Sequence, residues 1–591
     1  MSLRTIREEI KQSLVKALTT NNDEQRQKFS KKLEQFLDLP PREEFGDLTL
    51  KCFGLQDEYE VLSAKEIADM VVELVKIPEY ITVKAVGGFV NFSIDQMHLA
   101  KTTIDEVFEK GEKYGHIDLG EGKKVIVEYS SPNYGKELHV GHIRSTLVGD
   151  VLSRIFSASG YEVIRINYPG DVGGHMGKVI AAIIKWNNGK LPDNPQEAMK
   201  IMSKLYTKFS KESTDELLSE ATRITKAIEE GSKQETELWE LVTKLSAEEH
   251  AALYKRLGVE FDLIQRASSV TKRGKELVEL AREKELTSIA ENGSTSVNSG
   301  GLGYIKVLAT DGTAVYGTLD TGAAITRFEE FNFDKMVYVV GVEQQDYFKK
   351  LFKFLEKVGY GKAAERCEHL ATGHLVLEEG KMSSREGNVI LLEDVINMVV
   401  ENARSFIKKR AEERGDSIPD EKTSEIAEII SIGSLKYLIH TADPCSNIVY
   451  TSKKALTLQG KSAPFALYSY TRAGSILTKS EGYNKDLFKP EHLQTKEEMG
   501  LVKCMSELPI VIEAAARSYK PQFIADYIYR LGSAFNLFYT NVPILKEKHG
   551  NSTDGCKDNE VKNSRLCLIA AFRQTMYNAL TVFGIKTLEK M

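Results

Sequence analysis

At 591 residues the chain exceeds what one hydrophobic core normally serves, so three or four domains are expected. Its 42% hydrophobic and 28% charged residues suit an ordinary soluble globular protein, and no apolar run of about 18 residues suggests a membrane span. The net charge of −6 is unevenly placed: residues 451–591 hold 20 Lys and Arg against 13 Asp and Glu (+7), leaving 59 against 72 (−13) before them. A basic C-terminal region on an acidic body fits a local polyanion footprint, though a solvated helical surface would carry the same excess. The six cysteines (Cys52, Cys367, Cys445, Cys504, Cys556, Cys567) are scattered and form no CxxC pair. Neither a disulfide framework nor a metal site is expected, and a reducing compartment, most simply the cytoplasm, follows.

In chain order, the opening MSLRTIREEIKQSLVKALTT has helical periodicity and carries Glu8 and Glu9, unlike a secretory or transit peptide. FGDLTL (45–50), a helix near 64–76 and the Gly-led strand GGFVNFSI (87–94) complete an α+β unit over residues 1–115. KKVIVEYS (123–130) is a β-branched run of the kind buried in a parallel sheet. A helix near His142 follows, with Ile143, Leu147, Val151 and Ile155 on one face, and then the strand YEVIRINY (161–168), closed by the Gly-rich PGDVGGHMG. Strand, helix, strand is a βαβ unit, hence a doubly wound α/β sheet. Residues 178–258 read as a charged helical insertion. Sheet-like runs return at GYIKVLA (303–309), KMVYVVG (335–341) and HLATGHLVL (369–377), so residues 116–391 form the α/β domain. Residues 392–591 read as a helical bundle, interrupted by the polar loop 546–564.

Two loops carry chemistry. HVGH (139–142) follows the first strand of the βαβ unit, the edge where open α/β sheets bind ligands and where helix N-termini favour anions. His139 and His142 stand about one turn apart, and Gly141 removes a side chain between them, so a flat group can approach. Alone, HVGH serves equally well as a helix cap. EEGKMSSREGN (378–388) follows the last sheet run and offers Lys381 and Arg385, which could neutralise developing phosphate charge; alone it reads as a basic surface turn.

Together, HxGH after an early strand and KMSSR after a late one resemble the paired motifs of class I aminoacyl-tRNA synthetases. VEYSSPN, RINYPGDVGGHMG, QGKSAPFALYSYTRAGSIL (459–477) and the ending MYNALTVFGIKTLEKM narrow the resemblance to arginyl-tRNA synthetases over nearly the whole chain. It implies a Rossmann-like catalytic domain, an N-terminal domain contacting tRNA and a C-terminal anticodon-binding bundle. It also implies ATP with Mg2+, arginine and tRNA-Arg as partners, a monomer, and no membrane. Gly141, His139, His142, Lys381 and Met382 would meet ATP, and Arg385 would neutralise pyrophosphate. Lys136 would supply the charge of a family lysine replaced here by Ser384. Glu128 and Asn133 would hold the amino acid's α-amino end, Gln344 would be a substrate-side glutamine, and Tyr316 and Asp320 would face the guanidinium, a planar cation that a carboxylate suits. Read without the resemblance, Asp320 is an N-cap for TGAAITRF and Tyr316 a packing residue. Tyr468, Arg472 and Tyr539 would bind tRNA, with Tyr470 and Phe535 nearby, Phe535 more as core.

Three departures stand out. Ala267 occupies the position of a family glutamate that also grips the guanidinium, YGTLD replaces the usual TRD, and GDVGG lacks an aromatic. A lost charge-assisted contact in a buried site is worth roughly 2–5 kcal/mol, enough to weaken arginine binding or redirect the pocket unless Glu260 or Asp262 compensates. The alternative is therefore a class I paralogue that activates another amino acid or uses a non-tRNA acceptor. A metabolite nucleotidylyltransferase lacks the KMSSR loop and basic bundle, and a non-catalytic tRNA-binding scaffold has no need of His139, His142 and Lys381.

Overall fold

A computed structural model describes residues 2–19, 23–377, 390–415, 418–480, 482–544 and 559–590. Its centre is a five-stranded, wholly parallel sheet ordered Cys367–Thr372, Lys335–Gly341, Lys124–Glu128, Glu162–Asn167, Leu263–Ile264. Val125, Ile126 and Val127 are fully buried, as the β-branched run requires when helices cover both faces. The chain runs outward from Lys124–Glu128 to one side and then returns to build the other. This reversal opens a crevice beyond the carboxyl ends of Lys124–Glu128 and Lys335–Gly341, the binding edge of a doubly wound sheet.

Some runs lie elsewhere than the sequence suggests. Tyr304–Leu308 joins Thr287–Ile289 and Thr295–Asn298 in a separate antiparallel sheet. HLATGHLVL splits at Gly373, whose N–H donates to the Pro444 carbonyl at 2.8 Å, and Leu375–Leu377 leaves the central sheet to pair with Ile448–Tyr450. That last strand interrupts a region expected to be helical throughout. The Gly-rich turn after Asn167 runs directly into the helix Gly174–Asn187. Of the polar loop, 545–558 lie outside the described residues, and 559–564 begin the helix Asn559–Val582.

The helix Val140–Ala158 follows the first central strand and is not one-sided: every residue from Ile143 to Ser153 is buried. The sheet covers one flank and the C-terminal helices the other. Gly149 permits the sheet-side approach, since a Cβ there would stand 2.2 Å from the Tyr129 ring. Burial on all sides forces its charged residues to find partners. Asp150 lies 3.3 Å from Lys436, which also donates to the Gly584 carbonyl at 2.8 Å. Arg144, 1% exposed, donates to the carbonyls of Ile439 (2.7 Å), Pro444 (2.7 Å), Ser446 (2.8 Å) and Asp443 (3.3 Å). Burial pulls its pKa down to about 10, which leaves it charged.

At the N-terminus, four antiparallel strands ordered Leu37–Asp38, Leu48–Lys51, Phe89–Ile94, Ile81–Val86 pack with the helices Leu3–Leu18, Asp23–Phe36, Ala64–Leu74 and Gln96–Lys110. This unit shares one hydrophobic cluster with the helix Val140–Ala158 and the C-terminal helices. No helix among the described residues is long and apolar enough to cross a membrane. Ion pairs seal the seam: Glu513 on Leu508–Ser518 receives Arg7 (2.6 Å), Arg4 (2.7 Å) and Arg517 (3.0 Å). Burial alone would raise the Glu513 carboxyl, but Arg7, Arg4 and Arg517 hold it down to about 2. A depressed carboxyl stabilises the fold above its unfolded pKa and loses that contribution as pH falls through the folded value. Stability from this seam should therefore fade between about pH 4.5 and 2, and Glu513→Gln should cost roughly 3 kcal/mol at pH 7 and flatten that acid limb in urea melts followed against pH.

Candidate active site

The crevice is built on a strained turn. Beyond Glu128, Ser130 (φ 70°) and Ser131 (φ 47°) adopt left-handed backbone that non-glycine residues rarely hold. Hydrogen bonds fix it: Tyr254 and Thr146 meet Ser130 Oγ at 2.7 and 2.9 Å, and Asn167 Oδ1 accepts the Ser131 N–H at 3.2 Å. The turn sets Asn133 against Gly170, where a Cβ would fall 2.3 Å from Asn133 Oδ1. The Asn133 side chain reaches the Tyr316 hydroxyl.

His139 is the N-cap of Val140–Ala158. Its Nδ1 accepts the Gly141 N–H at 3.1 Å, and His142 Nδ1 accepts the His139 N–H at 3.2 Å, with ring centroids 3.9 Å apart. Gly141 is required by this cap, because a Cβ would lie 2.8 Å from the His139 ring. Burial, with His139 and His250 nearby, pushes the His142 imidazole down to about 3, and burial beside Lys136 lowers His139 as well. With Nδ1 accepting, each neutral ring must carry its proton on Nε2, and neither Nε2 has a partner among the described residues. The helix start thus presents two uncharged N–H donors beside its own positive dipole. Lys136 lies 4.1 Å over the Tyr206 ring.

Residues 378–389, with Lys381, Met382, Ser384 and Arg385, lie outside the described residues. The chain resumes against the histidine turn: the Val140 N–H donates to the Ile390 carbonyl and the Leu392 N–H to the Leu138 carbonyl, both at 2.9 Å.

Asp320 is not an N-cap; the helix Tyr316–Phe331 begins a turn earlier, with Val315 at its cap. Tyr316 and Asp320, four apart, share a face, and Tyr316 is 59% exposed rather than packed. The Tyr347 hydroxyl donates to Asp320 Oδ2, while Oδ1 has no hydrogen bond among the described residues and no cation pairs with the carboxylate. Burial pushes Asp320 up to about 7, the Tyr347 hydrogen bond working against it. Glu128 is already engaged: Arg327, fully buried, donates to its Oε2 and to Gln265 Oε1 (2.7 Å), with its guanidinium 4.9 Å over the Tyr168 ring. The Tyr168 hydroxyl is buried without a partner among the described residues. Gln344 is exposed just past Lys335–Gly341, at the N-cap of Gln345–Val358.

Ala267, 2% exposed, packs with Tyr168, Val172, Leu319 and Ala323, so an apolar cluster occupies this position. Glu260 and Asp262 do not compensate: both pair with Arg165, at 3.3 and 3.0 Å. Sequence reasoning missed Tyr347, Arg327 and Arg144. Tyr347 alone was within reach, lying in the first turn after a central strand.

In the bundle, the Arg472 guanidinium sits between the Tyr468 and Tyr539 rings (4.4 and 4.7 Å), all three half-buried. Phe535 is fully buried, stacked on Phe572 at 4.0 Å, and Tyr470 is buried beside Arg573. The histidine geometry has a direct readout: nitrogen NMR should show both His139 and His142 as Nε2–H tautomers, with His142 not titrating between pH 5 and 8.

Residues 103–449 match the family described as tRNA synthetases class I (R), catalytic domain, and residues 466–591 match the DALR anticodon binding domain. The chain is 34% identical over 566 residues to an arginine–tRNA ligase of Clostridium perfringens and 32% over 567 residues to one of Halothermothrix orenii. Each alignment covers 95% of this chain and 96% of the relative. Its fold is that of Thermus thermophilus arginyl-tRNA synthetase (TM-score 0.81, 21% identity, all of both chains) and of the Plasmodium falciparum arginyl-tRNA synthetase (TM-score 0.78, 19% identity, 100% of this chain and 99% of that one). With the catalytic-domain match spanning more than half of its length and these relatives aligned almost end to end, the chain belongs to the class I (R) tRNA synthetases.

Proposed function

We propose that the chain is an arginine–tRNA ligase, which joins arginine to ATP as an arginyl-adenylate, releases pyrophosphate and transfers the arginyl group to the 3′-terminal ribose of tRNA-Arg. The observation that carries this reading is Asp320: a half-buried carboxylate that, among the described residues, has no hydrogen bond on Oδ1 and no ion pair, beside the crevice that the histidine pair enters. In its ionised form such a group favours a cationic partner, and a guanidinium matches it in charge and planarity.

Little covalent chemistry falls to the protein; positioning and charge stabilisation supply the rate. The α-carboxylate attacks the α-phosphorus of ATP, forming the mixed anhydride as the bond to pyrophosphate breaks. The Nε2–H groups of His139 and His142 donate to the phosphates, Gly141 keeps the helix start open, and Lys136, Lys381 and Arg385 neutralise the departing charge, with Met382 beside the nucleotide. No group of three or more His, Cys, Asp or Glu side chains among the described residues could hold a metal, so Mg2+ would enter on the nucleotide's phosphates. Asn133 and the Oε1 of Glu128 receive the α-amino group, Gln344 stands on the substrate side, and Tyr316 and Asp320 take the guanidinium.

Residues 1–115 serve as a tRNA-contacting domain, 116–391 as the catalytic domain with its helical insertion at 178–258, and 392–591 as the anticodon-binding bundle, with Tyr468, Arg472 and Tyr539 stacking on bases. The protein works in the cytoplasm, as a monomer. A second reading, a paralogue activating a different amino acid, draws on Ala267 in its apolar cluster.

ATP–pyrophosphate exchange over all amino acids, with and without total tRNA, separates the two. Arginine alone should support exchange, and Asp320→Asn should raise the arginine KM roughly 100-fold while sparing the ATP KM. Exchange with another amino acid and none with arginine would reverse the assignment.

A further inference from the structure

Among the described residues no basic side chain forms an ion pair with Asp320. From its own helix it faces Arg327 and Tyr316, from the adjoining strands Glu128 and Tyr338, from the loop after Glu162–Asn167 Tyr168, and from Gln345–Val358 Tyr347. Arg327 is spent on Glu128, and among the described residues Tyr347 alone hydrogen-bonds the carboxylate. Ala267 supplies no second carboxylate on the Tyr168 side. A lone carboxylate on a short side chain can rotate, and each half-turn changes which oxygen meets a ligand.

We infer that Tyr347 is a positioning residue for substrate specificity: its hydroxyl pins Asp320 Oδ2 so that Oδ1, on the face shared with Tyr316, stays aimed at a guanidinium. The inference rests on the arginine reading above and adds to it a residue that never touches the substrate. Anchoring one oxygen leaves the other as a fixed acceptor, which favours a planar fork of N–H donors over the freely rotating ammonium of lysine. The same hydrogen bond favours the ionised carboxylate, the form that attracts a cation, against burial that pushes Asp320 up to about 7. Arginine affinity should therefore rise with pH through that region, and losing the hydroxyl should move the rise upward.

The test is Tyr347→Phe, which keeps the ring packed beside Phe348, in arginine-dependent exchange with tRNA across pH 6–9. The arginine KM should rise about 10-fold at pH 7 with the ATP KM unchanged, and its pH midpoint should shift upward. Discrimination against lysine should narrow. On an Asp320→Asn background, adding Tyr347→Phe should change the arginine KM no further, which also guards against a misfolded single variant. An unchanged arginine KM and pH midpoint in Tyr347→Phe, or an additional rise in the double variant, would overturn the inference. Absence of arginine exchange by the unaltered chain would instead overturn the reading beneath it.

Discussion

The structure turns on the requirement that a charged helix be buried on every side. Val140–Ala158 begins at the histidine pair, lies on the central sheet and passes beneath the C-terminal helices, so Arg144 and Asp150 lie in the interior. An arginine stripped of water needs acceptors for its fork of donors. Arg144 finds them in four main-chain carbonyls between Ile439 and Ser446, the segment that hands the chain from Asp420–Ile439 to Ile448–Tyr450. Ile448–Tyr450 in turn pairs with Leu375–Leu377, the strand that leads to residue 378. One side chain thereby ties together the histidine turn, the approach to the KMSSR segment and the start of the helical region. Lys436 repeats the device farther along the helix, joining Asp150 to the carbonyl of Gly584 near the C-terminus.

The crevice sorts its electrostatics by burial. Two imidazoles stay neutral because burial disfavours their charged forms, yet their caps free Nε2–H donors for an anion. Burial acts on the Asp320 carboxyl in the other direction, pushing it up to about 7 and making its charge costly. Glu128 would have met the same cost, but Arg327 pairs it from within the fold. The two carboxylates thus differ: Glu128 is paired by Arg327, while Asp320 has no ion pair among the described residues.

Much of this was legible in the sequence, for local reasons. The run KKVIVEYS has the β-branched composition of a strand buried in a parallel sheet, and HVGH after it forms the helix cap. What stayed hidden was non-local. Arg144 looks like any surface arginine after a helix start, because its acceptors lie some 300 positions away. Gly373 gives no warning that HLATGHLVL must break to meet Pro444. Ile143, Leu147, Val151 and Ile155 describe one apolar face correctly, but periodicity cannot show that the other face is also covered. At Ala267 the sequence identified a missing charge, while only the packing of Tyr168, Leu319 and Ala323 shows that the space is filled with apolar atoms. Glu260 and Asp262, plausible in sequence as replacements, turn to Arg165 instead.

The central claim is that arginine and ATP meet in this crevice, with the guanidinium on Asp320 and the phosphates on the histidine pair. A crystal structure of the full chain with arginine and a non-hydrolysable ATP analogue tests it most directly. The account predicts a guanidinium N–H within hydrogen-bond distance of Asp320 Oδ1, Tyr347 still holding Oδ2, and phosphate oxygens on the Nε2–H groups of His139 and His142. Arginine bound away from Asp320, or phosphates seated away from both histidines, would contradict it.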